Sequence, residues 1–118
     1  MRPTVLMIDD HDGFRSRARA MLEAEGFDVV GEAVDVAGGL AAADRLRPDV
    51  ALVDIGLPDG DGFALADRLR SRGSAPVIVL VSGRERADYG DRIDRSAADG
   101  FIAKADLSGE RLRALLRP

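Results

Sequence analysis

The chain has 118 residues, 46% hydrophobic and 32% charged, which suits one globular domain with a single core rather than a disordered chain. Lys and Arg total 17 against 21 Asp and Glu, a net charge of −4, which argues against a surface built mainly for nucleic acid. Cysteine is absent, so there is no disulfide framework or thiolate metal site, and the first apolar run is too short for a signal-peptide core or a membrane span; a cytoplasmic protein is the default expectation.

Residues 4–8 form an apolar run without polar alternation and predict a strand covered on both faces. Phe14, Ala18, Met21 and Leu22 then share one face of a helix that should stop near Gly26. Residues 28–33 read as a weaker, edge strand. A second helix is expected over 36–46, with Pro48 marking its end, because the residue before a proline is disfavoured in helix. Residues 50–53 predict a buried strand, and 62–72 a third helix that stacks Leu65 on Leu69 and ends before Gly73. Residues 77–81 predict another buried strand. A fourth helix is expected over 87–96. Its apolar stripe is only Tyr89 and Ile93 and it contains Gly90, so it should be the least firmly packed. Residues 100–103 predict the fifth strand, and a fifth helix from Ser108 turns Leu112, Leu115 and Leu116 inward.

Strand and helix thus alternate along the whole chain, which implies a parallel sheet with helices on both faces. Right-handed crossovers place every strand's carboxyl end on one edge, and ligands of such sheets bind there. At those ends stand Asp9, Asp10, His11 and Asp12, then Asp54, then Ser82 and Gly83, and finally Lys104. Carboxylates from separate strands would converge on one pocket. Two unit charges about 4 Å apart repel by roughly 4 kcal/mol at an effective dielectric near 20, so a compensating cation is expected. Carboxylate oxygens suit a hard ion such as Mg²⁺, which keeps several waters. With Lys104 and the Ser82 hydroxyl, the set can hold a metal, a nucleophilic carboxylate and a phosphoryl group, and aspartyl phosphate is an established type of covalent intermediate. Singly, these residues have ordinary uses. Asp12 reads as the N-cap of the first helix, Asp10 as cap or ligand, Ser82 as a capping serine, Lys104 as a solvated lysine and His11 as a loop histidine. Asp54 is harder to explain structurally, because it directly follows apolar strand residues.

Asp9-Asp10, the segment from Val53 to Pro58 with Gly62 after it, Ser82-Gly83 and Lys104 together resemble the response-regulator receiver family over essentially the whole chain. The resemblance implies a flavodoxin-like, doubly wound (βα)5 fold with a five-stranded parallel sheet in the order 2-1-3-4-5. It makes residues 1–118 one receiver domain with no output domain among them. It also implies site roles. Asp54 would be the phosphoacceptor. Asp9, Asp10, Asp54 and the backbone carbonyl of Gly56 would hold Mg²⁺. Ser82 and Lys104 would bind phosphoryl oxygens beside the small Gly83, and Phe101 would be the switch aromatic. Gly56 and Arg84 occupy the positions that tune phosphoryl lifetime. Ala105 stands where many members have proline.

The chain should then be a phosphorylation switch rather than an enzyme with turnover. A sensor histidine kinase or a phosphotransfer protein would feed it, and the surface of the fourth helix, fifth strand and fifth helix, about 87–116, would change. Receivers linked to LuxR-type helix-turn-helix outputs look most similar, so transcription control through a separate domain, or protein contact alone, is expected. A homodimer on activation is plausible, without direct nucleic-acid or membrane binding. The alternatives are a pseudo-receiver that binds partners without phosphate, and a Mg²⁺ phosphohydrolase. The intact acidic, serine and lysine positions speak against the first, and the lack of any insertion that could form a substrate cap speaks against the second.

Overall fold

Five parallel strands, β1 (Thr4–Ile8), β2 (Asp28–Ala33), β3 (Val50–Asp54), β4 (Val77–Ser82) and β5 (Gly100–Ala103), form one sheet in the order β2-β1-β3-β4-β5. This arrangement comes from a computed structural model that describes residues 2–73 and 75–117. Helices α1 (Asp12–Ala24), α2 (Val36–Leu46), α3 (Gly62–Arg70) and α4 (Gly109–Leu116) cover the two faces. The flavodoxin-like order that the family resemblance implies is the order observed.

Side chains alternate across the central strands, and the alternation divides the core in two. Val5 and Met7 of β1, Val50 and Leu52 of β3, and Val79 and Val81 of β4 pack with Ala18 and Leu22 of α1 and Leu112 of α4. Leu6 and Ile8, Ala51 and Val53, and Ile78 and Leu80 point the other way, onto Leu40 of α2 and Leu65 and Leu69 of α3. Burying one such aliphatic side chain stabilises by about 1.5–3 kcal/mol. These runs accordingly carry apolar residues up to the strand ends, where Asp9, Asp54 and Ser82 are the buried polar side chains among the described residues.

The element ends follow local chemistry. α1 stops at Ala24, with Gly26 at φ 97° beyond it and the Phe27 amide donating back to the Leu22 carbonyl. α2 ends on Arg47 in the left-handed region, one residue before Pro48. Two strands run one residue further than their apolar stretches indicate. Asp54 pairs with Val81, and Ser82 pairs with Ala103, so both sit on strand ends rather than in loops. α3 is two residues shorter than expected, capped by Ser71.

The expected fourth helix over 87–96 does not form as an α-helix. A single 3-10 turn, Arg86–Tyr89, is followed by turns, with Gly90 at φ 58° and ψ −126°. Asp88, Gly90, Asp91 and Asp94 are poor helix formers, and the ion pairs Arg86–Asp94 and Arg95–Asp91 are exposed. Ile93 is the one buried side chain among residues 83–99, too little apolar surface to hold a helix against the sheet.

Candidate functional site

From β1 the sheet extends to β2 on one side and to β3, β4 and β5 on the other. The crevice at this reversal lies over the strands' carboxyl ends, the usual ligand site of open α/β sheets. Asp9 leaves β1 and Asp54 closes β3, with only 1% and 4% of their surface exposed. Asp10 stands at the exposed rim. One ligand atom from each of Asp9, Asp10, His11 and Asp54 lies within 4.8 Å of the others. The predicted convergence of three carboxylates is therefore present.

Two basic side chains, Lys104 and His11, border the carboxylates. Lys104 follows β5, and its Nζ lies 2.7 Å from Asp9 Oδ2 and 3.5 Å from Asp54 Oδ2. The same ammonium sits 4.6 Å from the centre of the Phe14 ring. Lys104 is thus a held residue, not a solvated one. His11 Nδ1 lies 2.8 Å from Asp9 Oδ1, 3.3 Å from Asp10 Oδ1 and 3.4 Å from Asp54 Oδ2. An open groove beside them is lined by His11, Phe14, Arg17, Met21, Lys104 and Leu107.

These contacts set the ionisation of the site. Burial is the main force that raises the Asp54 pKa above the ordinary carboxylate value, and the Asp9 charge adds to it. Lys104, a hydrogen bond from the Gly56 backbone N–H and His11 act in the opposite direction. The His11 pKa is raised chiefly by its hydrogen bond to Asp9, with Lys104 opposing. The Oδ2 atoms of Asp9 and Asp54 are buried and accept no hydrogen bond of good geometry, although Lys104 is near both. One ammonium does not neutralise three carboxylates. Oxygen donors left unsatisfied in this number fit a hard divalent ion that brings its own waters, so the cluster is capable of coordinating a divalent metal, Mg²⁺ in character.

The loop after Asp54 is tightly fixed. Gly56 and Leu57 pair antiparallel with Asp61 and Gly60. The Gly62 amide donates to the Ile55 carbonyl at 2.8 Å. A Cβ on Gly62 would stand 2.6 Å from the Asp54 carbonyl oxygen and 2.8 Å from the Ile55 Cα, so only glycine lets α3 start this close to β3. Asp61 caps α3 by accepting from the Ala64 amide at 2.8 Å. Asp59 reaches across to α2 and accepts from the Val36 and Ala37 amides at 2.7 and 3.2 Å.

On the other side of Asp54, Ser82 is 5% exposed at the end of β4. Its Oγ accepts from the Arg84 amide at 3.0 Å and meets the Tyr89 hydroxyl at 2.5 Å. Tyr89 lies edge-on between Phe63 and Phe101, with ring centroids 5.9 and 6.1 Å away. Phe101 is half-buried and packs against the core. Arg84 is exposed, and a Cβ on Gly56 or Gly83 would meet no atom within 4 Å, so both glycines border open space.

Three assignments change. Asp12 is the first residue of α1 rather than its cap; it pairs with Arg15 and favours the positive helix end, while His11 takes the N-cap position. His11 belongs to the carboxylate cluster, which its place directly after Asp9-Asp10 could have signalled. Tyr89 touches Ser82, and no sequence spacing indicated that, because the contact depends on the 3-10 turn.

A family model described as "Response regulator receiver domain" matches residues 5–117. KdpE of Escherichia coli, a KDP operon transcriptional regulatory protein, is 38% identical over 116 residues, 96% of this chain and 51% of KdpE. A protein-glutamate methylesterase/protein-glutamine glutaminase of Anaeromyxobacter dehalogenans is 38% identical over 106 residues, 89% of this chain and 30% of that protein. Among solved structures, the signal receiver domain of Mycobacterium tuberculosis NarL superposes with a TM-score of 0.84 at 32% identity, covering 98% of this chain and 94% of that one. This chain spans about half the length of the curated transcriptional regulators it matches.

Proposed function

Because this chain belongs to the response regulator receiver family, a phosphorylation-dependent signalling switch and not a turnover enzyme, we propose that Asp54 is its phosphoacceptor. The observation that carries this reading is the buried Asp9–Asp54 pair, whose Oδ2 atoms lack hydrogen bonds and share Lys104. The donor would be the phosphohistidine of a sensor kinase or phosphotransfer protein. An Asp54 carboxylate oxygen attacks phosphorus. The P–O bond forms as the P–N bond breaks, and the electron pair leaves on the imidazole nitrogen, which takes up a proton from water. The groove along α1, with Phe14, Met21 and Leu107 beside Arg17, is open ground for that partner.

Asp9, Asp10, Asp54 and the Gly56 carbonyl would hold Mg²⁺, which when bound neutralises charge on the phosphoryl oxygens. Lys104 then exchanges its contact with Asp9 for one with a phosphoryl oxygen, and the Ser82 hydroxyl donates to another. The open space at Gly83 leaves room for the group. Phe101 follows Ser82 inward, and the surface 87–116 responds. Arg84 shields the phosphoryl group from water, while Gly56 offers no side chain to orient it, so these two set the lifetime. Phosphorylation adds nearly two negative charges and three acceptor oxygens, enough to bias a loosely held segment.

The output lies outside this reading of residues 1–118 as a single receiver. KdpE and the methylesterase carry different activities, which favours an output set by what the receiver is joined to. Transcription control through a LuxR-type domain, or direct protein contact, is proposed, with dimerisation on activation and no nucleic-acid contact by these residues. No helix among the described residues is long and apolar enough to cross a membrane, and a cytoplasmic place of work is part of the proposal. The test is intact mass after incubation with a small-molecule phosphodonor. One phosphoryl group should be gained by the native chain with Mg²⁺, and none by Asp54→Asn or after chelation of the metal. Equal gain by Asp54→Asn would move the acceptor elsewhere.

A further inference from the structure

Tyr89 is not among the residues that hold or receive the phosphoryl group, yet its hydroxyl is 2.5 Å from Ser82 Oγ. We propose that Tyr89 is a positioning residue, a latch that engages the Ser82 hydroxyl in the unphosphorylated chain and must release it when Asp54 is phosphorylated. The inference rests on the reading of Asp54 as phosphoacceptor.

A serine hydroxyl has one proton and two acceptor sites. One acceptor site of Ser82 is taken by the Arg84 amide at 3.0 Å, and Tyr89 takes a second bond. To serve the phosphoryl group, Ser82 must turn its proton toward Asp54 and move with it. With Oγ tied to both partners, that motion breaks the bond to Tyr89. The ring is held more weakly than a core aromatic. It is half-exposed, with edge contacts to Phe63 of α3 and Phe101 of β5. It also stands at the end of a 3-10 turn, directly before Gly90 at φ 58°. Release of one hydroxyl therefore frees a ring that wedges two others and a segment in which Ile93 alone is buried. This links the phosphoryl site to residues 86–96 through one named contact. Phe101, in the position of the switch aromatic, has no hydroxyl with which to make such a bond.

The composition makes the latch directly visible. Tyr89 is the only tyrosine of the chain, and there is no tryptophan, so near-ultraviolet tyrosine absorbance and emission report this side chain alone. Three measurements test the proposal. In the unmodified protein, Ser82→Ala should shift the tyrosine absorbance toward that of a water-exposed phenol; an unchanged spectrum would overturn the latch without reference to phosphorylation. In native protein treated with acetyl phosphate and Mg²⁺, the same shift should appear in step with the gain of one phosphoryl group in intact mass. A fully phosphorylated sample with an unmoved tyrosine signal overturns the proposal while leaving Asp54 as acceptor. Absence of any mass gain overturns both, and the mass distinguishes the two failures. Tyr89→Phe keeps the ring and removes only the hydroxyl. It should be phosphorylated about five-fold faster than the native chain, the effect of one typical hydrogen bond favouring the resting form. A Tyr89→Phe rate equal to or below the native rate counts against the latch.

Discussion

The two segments that flank the carboxylate cluster are built in opposite ways. The segment after Asp54, 55–62, buries Ile55, Leu57 and Gly62, pairs with itself, caps α3 through Asp61 and caps α2 through Asp59. The segment after Ser82, 83–99, buries Ile93 alone and carries one 3-10 turn; its firm attachment comes at its end, where the Asp99 carboxylate accepts from the Ile78 amide at 2.8 Å. The difference teaches a division of labour. If Asp54 is the acceptor, as proposed, its carboxylate has to be held in one geometry, and its loop is tied to two helices. The proposed responding surface would have to change at the cost of a few kcal/mol, and segment 83–99 has the few buried contacts that such a change needs.

The sharpest way to break this comparison is to make the same substitution on each side. Gly62→Ala forces a methyl group against the Asp54 and Ile55 backbone and should destabilise by about 3 kcal/mol. Gly83→Ala enters open space and should change stability by less than about 0.5 kcal/mol. Urea melts of the two variants check this, and similar midpoints would show that segment 55–62 is no more constrained than its counterpart. Next in size is Ile93→Ala, which should cost about 2 kcal/mol when measured the same way. Its amide exchange should accelerate over 86–98 while 55–62 stays protected. Acceleration of both segments together would mean that they open as one unit.

A subtler contrast appears between the segments in the native protein. Phosphorylation should alter amide exchange within 83–98 and leave 55–62 nearly unchanged, as judged by exchange mass spectrometry. The smallest expected effect is one of pH. The Val36 backbone amide, donating to Asp59, holds its carboxyl below the ordinary carboxylate value. A depressed folded-state pKa means that the stabilising contribution is fully present above the unfolded value and is lost as pH falls through the folded one. Exchange in 56–61 should therefore rise in acid, below the ordinary carboxylate range, and Asp59→Asn should remove much of that pH dependence. Segment 86–96, which has no such bond to α2, should show little of it.

Much of the fold and the central site was legible in the sequence. Unbroken apolar runs can be accommodated only in strands covered on both faces, and helix-period stretches between them force parallel crossovers. Those two facts place Asp9, Asp54, Ser82 and Lys104 at one sheet edge, because right-handed connections leave a single edge for all carboxyl ends. Charged residues that end apolar strands announce themselves by the contrast. Tertiary structure decided what depends on competition between weak terms. It converted the expected helix over 87–96 into a 3-10 turn, because its two apolar residues could not outweigh Gly90 and the aspartates. It brought His11 onto Asp9 and Asp54, and Tyr89 onto Ser82, because side-chain direction at a helix start or a tight turn depends on the backbone around it and not on spacing along the chain. Strand ends are fixed by burial, which sequence records residue by residue. The contacts between loops are fixed by where those strands carry them, which only the assembled sheet determines.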